Sequence, residues 1–256
     1  MTIKELYEYL NETAPKSLSC PWDNDGVMAA ADLTAEAKRV LVSLDATEAA
    51  VKYAAEHDFD VLLTHHPMIF KGAKSVTPLT LDGRRILAAL TGGVTVLSFH
   101  TRLDAAEGGV NDELCRVLGF EADGVFGDDE APTLGRLVTL EKGMTLRALA
   151  VHVKERLRAP YVKLISADSE REITKIALCG GDGKGFTYAA LAAGAEVLIT
   201  GSTGYNTAED ASECGIATIE AGHYETEVPV CRVLCEKMKE LGLHAEIYES
   251  SVETVF

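Results

Sequence analysis

His65 and His66 stand side by side at the end of an apolar run, Val61-Leu62-Leu63-Thr64, with Pro67 behind them. Packing explains adjacent imidazoles at a strand end poorly. Metal binding explains them well, because neutral imidazole is a common ligand of first-row ions. Two further segments offer matching donors. His100-Thr101-Arg102-Leu103-Asp104 and His223-Tyr224-Glu225-Thr226-Glu227 each set a histidine four residues before a carboxylate. On a helix such positions share a face, so a single turn can present both groups to one ion. Imidazole nitrogen and carboxylate oxygen, without a clear thiolate set, suit Zn, Mn, Fe, Co or Ni. The donors exceed the needs of one tetrahedral site and allow two metals about 3.5–4 Å apart, bridged by a carboxylate. The competing readings are hydrogen-bonded structural histidines and surface ion pairs; the adjacent pair after an apolar strand favours metal.

Other motifs are weaker. Cys179-Gly180-Gly181-Asp182-Gly183-Lys184-Gly185-Phe186 follows a strand and opens a helix. Such a loop can cradle an anion on backbone N–H groups, or serve close strand–helix packing. It is not a Walker A loop, because Lys184 is followed by Gly185. Pro21-Trp22-Asp23-Asn24-Asp25-Gly26 places the only tryptophan in a polar turn, either lining a pocket or capping a core. Arg102 and Lys184, in strand-end loops, are candidate phosphate contacts. His100 and Glu225 are candidate proton relays.

The elements that must position these groups alternate. Strands are expected over 39–45, 60–64, 94–98, 173–179, 196–200 and 216–219, and helices over 47–57, 83–90, 108–118, 186–193 and 226–241. This is an α/β pattern with largely buried strands, and open α/β sheets place ligands at the carboxyl ends of strands. Thr2 and Glu5 are spaced as a capping box for an N-terminal helix. An acidic, Gly-containing stretch over 121–136 reads as a linker into a second unit with strands near 135–140 and 161–166 and a helix near 145–157. Asp60-Val61-Leu62-Leu63-Thr64 resembles Glu196-Val197-Leu198-Ile199-Thr200, and each is followed by a strand and a histidine. This suggests a duplicated α/β unit with strand-end loops facing a shared cleft.

Composition bounds the function. The 256-residue chain carries a formal net charge of −16, which argues against DNA or RNA duplexes and against an anionic membrane surface. A small anionic substrate stays compatible, since a bound cation reverses the local field. There is no run of about 18 apolar residues for a membrane span and no signal-peptide pattern. The six cysteines make no CxxC pair and read as reduced thiols of a cytoplasmic protein. Cys231 and Cys235, four apart, read as core residues.

Taken in order, Trp22-Asp23-Asn24-Asp25-Gly26, Thr64-His65-His66-Pro67, Ser98-Phe99-His100-Thr101-Arg102-Leu103-Asp104, Cys179-Gly180-Gly181-Asp182-Gly183 and Gly222-His223-Tyr224-Glu225-Thr226-Glu227 resemble the Ngg-interacting-factor-3-like family, the GTP cyclohydrolase I type 2 homologues. The resemblance covers essentially the whole chain. It implies two intertwined α/β domains, here residues 1–126 plus 221–256 and residues 127–220, and a hexamer built as a trimer of dimers. It also implies two divalent metal ions held by His65, His66, Asp104, His223 and Glu227, with Glu227 bridging and His100 nearby. The chain departs from the family pattern at Arg102, where Asn is frequent, and at Asn206, where His is frequent. Arg102 either binds a phosphate or turns to an acidic neighbour. The expected activity is a dinuclear metal-dependent hydrolase acting on a small molecule, a nucleotide or another phosphoester. The alternative is a metal-binding scaffold or metal-handling protein without turnover.

Overall fold

Capping residues set the helix starts. In a computed structural model, which describes residues 1–249, the Thr2 hydroxyl accepts from Glu5 N and the Glu5 carboxylate accepts from Thr2 N, opening α1 (Ile3–Thr13) with the expected capping box. Then come β1 (Gly26–Ala29), β2 (Arg39–Ser43), α2 (Glu48–Glu56), β3 (Val61–Thr64), α3 (Leu81–Thr91) and β4 (Thr95–Ser98). The chain leaves this first unit within α4 (Thr101–Ala105). The second unit holds α5 (Val110–Leu118), β5 (Gly124–Phe126), β6 (Gly135–Thr145), α6 (Leu146–Leu157), β7 (Lys163–Ile165), β8 (Glu172–Asp182), α7 (Thr187–Ala192), β9 (Val197–Ser202), α8 (Tyr205–Glu213), β10 (Ala217–Glu220) and α9 (His223–Glu227). The chain returns within α10 (Pro229–Glu240), and β11 (His244–Tyr248) completes the first sheet.

The first sheet has the order β1-β4-β3-β2-β11. Strands β11, β2, β3 and β4 are parallel and β1 is antiparallel to β4. All four residues of β3 are buried, as expected for a central parallel strand covered on both faces. Leu41, Leu62, Val96, Ile86, Ala50 and Ala54 are among the residues of its core. The second sheet has the order β5-β6-β8-β9-β10-β7, with β8, β9 and β10 parallel and β7 antiparallel to β10. Leu149, Val153, Ile176, Leu178, Ile199 and Ile219 belong to its core.

The expected repeat has a counterpart in element order. The series α1-β1-β2-α2-β3-α3-β4-α4 recurs as α6-β7-β8-α7-β9-α8-β10-α9. Each series makes three parallel strands in chain order, with an antiparallel edge strand against the third. The sheet register sets Val61–Thr64 in the place of Val197–Thr200, each beside the next strand of its series.

The chain divides after Leu103 and after Val230, where the resemblance implied 126/127 and 220/221. Two local expectations are corrected. The acidic stretch is not a linker between units, because β5 pairs in register with β6 and α5 contributes Leu114 and Leu118 to the second core. Residues 180–182 extend β8 rather than forming a loop. Cys231 and Cys235 are buried on α10, as core residues. Among the described residues no helix is long and apolar enough to cross a membrane.

Candidate metal centre

In the first unit the histidines leave the carboxyl ends of two neighbouring parallel strands. The Thr64 hydroxyl donates to His66 O at 2.8 Å, His66 N donates to Leu44 O at 2.9 Å and Phe99 N donates to Thr64 O at 2.9 Å. These bonds fix the backbone just past β3 and β4. His65 is buried, while His66 and His100 are partly exposed. One ring nitrogen from each lies within 4.8 Å of the others. The ring centroids stand 4.9 Å apart for His65 and His66, 5.2 Å for His65 and His100, and 5.6 Å for His66 and His100.

Each of the three rings is held the same way. Nδ1 of His65 lies 3.0 Å from Phe99 O, Nδ1 of His66 lies 2.9 Å from Asp45 Oδ1, and Nδ1 of His100 lies 2.8 Å from Asp23 Oδ1. A carbonyl or carboxylate oxygen only accepts, so each Nδ1 carries the proton and each Nε2 keeps its lone pair in the neutral ring. Metal-binding histidines are oriented by this kind of contact. Asp23 is fully enclosed. Burial alone would raise its pKa, but the hydrogen bond and charge of His100 and the two donors of Thr101 outweigh that and lower it to about 2. Thr101 N and Oγ1 donate to Asp23 Oδ2 at 3.0 and 2.6 Å. Asp23 and Asp45 were not among the expected site residues. The available signal was their position in strand-end turns next to β4 and β3.

In the second unit His223 and Glu227 occupy one turn of α9, with Nε2 and Oε2 3.1 Å apart. The expected i, i+4 geometry is therefore present there. The other pair differs, since His100 precedes α4 and is held by Asp23. Asp104 and Glu227 are both buried. Asn111 donates to the carbonyls of Asp104 and Leu134 at 3.3 and 2.8 Å and accepts from Gly180 N at 2.8 Å, tying α4, α5 and β8 together. The pKa of the Cys179 thiol is pushed well up by burial, and then by the charges of Asp104, Glu227 and Asp182. Negative charge is thus concentrated beside the end of β8. Gly181, at φ +66°, leaves room for this arrangement: a Cβ there would lie 2.0 Å from Glu227 Oε1 and 3.3 Å from His223 Nε2. Buried carboxylates and an imidazole in a glycine-lined recess form a donor set that fits a divalent cation.

The remaining candidates fall in different places. Arg102 is fully buried and turned to its acidic neighbour: Nε donates to Asp25 Oδ2 at 3.0 Å, and the guanidinium also engages Asn11 and Ala14 O and lies over the Phe99 ring. This overturns the phosphate-contact expectation for Arg102, because the guanidinium is sealed into the core of the first unit. Lys184 is exposed, on the turn between β8 and α7. The Glu225 carboxylate folds back over Gly222, where a Cβ would meet its Oε2 at 2.0 Å. Asn206 lies in the first turn of α8.

Residues 1–255 match the family model of Duf34/NIF3 (NGG1p interacting factor 3). The chain belongs to the Duf34/NIF3 family. Relatives within it include a GTP cyclohydrolase 1 type 2 homolog of Clostridium acetobutylicum, 31% identical, covering 98% of this chain and 96% of the relative. A GTP cyclohydrolase 1 type 2 homolog of Clostridium perfringens is 33% identical over 94% and 92%. Among solved structures, Staphylococcus aureus hypothetical protein SA1388 superposes with a TM-score of 0.86 at 25% identity, covering 98% of this chain and 97% of that one. The mixed α/β architecture with two sheets is thus shared with a solved relative across nearly its full length.

Proposed function

We propose that this Duf34/NIF3 chain is a divalent-metal-dependent hydrolase. His65, His66, Asp104, His223 and Glu227 would hold two divalent ions per chain, and the substrate would be a nucleotide or another phosphoester. One observation carries the reading: three histidines at adjacent strand ends, each with Nδ1 committed to an oxygen acceptor and with ring nitrogens within 4.8 Å of one another. The names of the relatives, GTP cyclohydrolase 1 type 2 homologs, direct the first substrate screen to guanine nucleotides.

A divalent ion would supply Lewis acidity, polarising a substrate oxygen and lowering the pKa of a coordinated water toward about 7. The chain does the rest. Phe99 O and Asp45 hold the His65 and His66 rings at Nδ1, the kind of contact that orients a coordinating imidazole. Asp23 holds His100 with Nδ1 protonated, so that its Nε2 can take a proton from the attacking water and return it to the leaving group. Glu225, over Gly222, is the second candidate for that proton. The buried carboxylates Asp104 and Glu227 balance cationic charge where water access is restricted.

Elemental mass spectrometry on untagged protein purified without chelator tests the ligand set, beside Glu227→Gln. About two ions per wild-type chain, reduced in the variant together with hydrolysis of guanine nucleotides or phosphoesters, is the expected result. Metal bound without turnover of any of these would favour a metal-holding role. A wild type that takes up none of Zn, Mn, Fe, Co or Ni would refute the assignment.

A further inference from the structure

We propose that Trp22 and Phe70 form a stacking platform for a planar heteroaromatic ring of the nucleobase type, beside His100. This rests on the hydrolase reading above and names the substrate feature recognised next to its histidines. Trp22 and Phe70 are 52% and 47% exposed, so about half of each residue faces solvent. Their rings meet edge to face, with centroids 6.2 Å apart and planes at 67°. That geometry satisfies the quadrupole of the pair while leaving π-surface open to solvent. Both rings also stand edge-on to His100, at 6.4 and 6.1 Å. His100 in turn stands 5.2 and 5.6 Å from His65 and His66. The open aromatic surface is therefore one imidazole away from the proposed metal ligands.

The platform is built rather than incidental. The Asn24 side-chain amide donates to Ile69 O, joining the turn that carries Trp22 to the residue before Phe70. Asp23, next to Trp22, accepts from both His100 and Thr101. The aromatic pair and the imidazole are thus fixed by one set of hydrogen bonds, so little ordering remains for a ligand to impose. A lid over His100 would need only one of the two rings. Two half-open rings at an angle suit a flat ligand, and base–aromatic stacking tolerates different bases because each has a π-face.

Trp22 is the only tryptophan, so fluorescence excited at wavelengths beyond tyrosine absorption reports on this surface. The test titrates metal-loaded full-length protein with guanosine 5′-monophosphate, and separately with ribose 5-phosphate, which has the sugar phosphate but no base. Saturable quenching by the nucleotide and none by ribose 5-phosphate is expected. Phe70→Ala should weaken nucleotide binding about 5- to 150-fold, the usual worth of one base–aromatic stack, and Phe70→Tyr should restore it. Equal responses to the two probes, or nucleotide binding unchanged in Phe70→Ala, would overturn the platform. Metal content and phosphoester turnover on the same preparations separate the two readings. No quenching with metals and turnover intact overturns the platform alone. Base-dependent quenching in a protein that binds no metal supports the platform and removes the hydrolase.

Discussion

Arg102 and Asp25 form an ion pair from which both side chains are excluded from solvent, Nε donating to Oδ2 at 3.0 Å. Asp25 also accepts from Ser19 Oγ, Lys16 Nζ and, at 3.3 Å, His100 N. The arginine thereby ties α1 to the turn before β1 and, through the bond from His100 N to Asp25, to the end of β4.

Arg102→Ala should therefore act on folding. Removing the guanidinium takes from buried Asp25 its one fully enclosed partner and leaves it Lys16, Ser19 and His100 N, so the cost should approach, without exceeding, the about 3–5 kcal/mol of breaking a buried pair. Arg102→Lys should recover little, because a lysine cannot reproduce the planar fork or its stacking on Phe99. Urea denaturation of the variants measures this. A midpoint shift worth under about 1 kcal/mol for Arg102→Ala would show that the pair contributes little.

Asp45→Asn tests the orientation of His66, a proposed ligand, without touching the imidazole itself. Asp45 is substantially exposed, so folding should be nearly unaffected. Loss of the carboxylate frees His66 to adopt the other tautomer, and such changes cost about 10–100-fold in metal affinity or activity. Competition with a chelating indicator reads the affinity directly. Unchanged affinity with unchanged stability would mean that the His66–Asp45 contact does not set the ring for coordination.

What could be read from the sequence follows from how local each signal is. His65 and His66 are adjacent and follow a four-residue buried strand, so their position at the carboxyl end of a strand was legible. The i, i+4 spacing of His223 and Glu227 was legible as well, because α9 is helical. Asp45 and Asp23 were not. Their contacts depend on β2 lying beside β3 and on β1 lying beside β4, facts of strand order that no local pattern carries. Arg102 was open between two readings for the same reason: its burial is created by Asn11 and Asp25, 91 and 77 residues away in sequence. The unit boundaries fall inside α4 and α10, where composition does not change. Glycine content at 180–183 suggested a loop, whereas the strand continues to Asp182 because Gly181 and Gly183 let Glu227 and Thr200 approach the backbone.

That close approach gives the sharpest local test. In Gly181→Ala the new methyl would lie 2.0 Å from Glu227 Oε1, at a φ of +66°. The left-handed backbone costs an alanine ~1–2 kcal/mol, and the carboxylate must swing away from His223. Thermal unfolding should therefore show a modest loss of stability, and if Glu227 is the proposed ligand, metal binding should fall by an order of magnitude or more. Gly185→Ala is the matched control. A Cβ there meets nothing within 4 Å, so both stability, to within about 0.5 kcal/mol, and metal content should match wild type. If both variants kept full metal content, Glu227 would not be a ligand held in place by the glycine-lined recess, and the bridging assignment would fall with it.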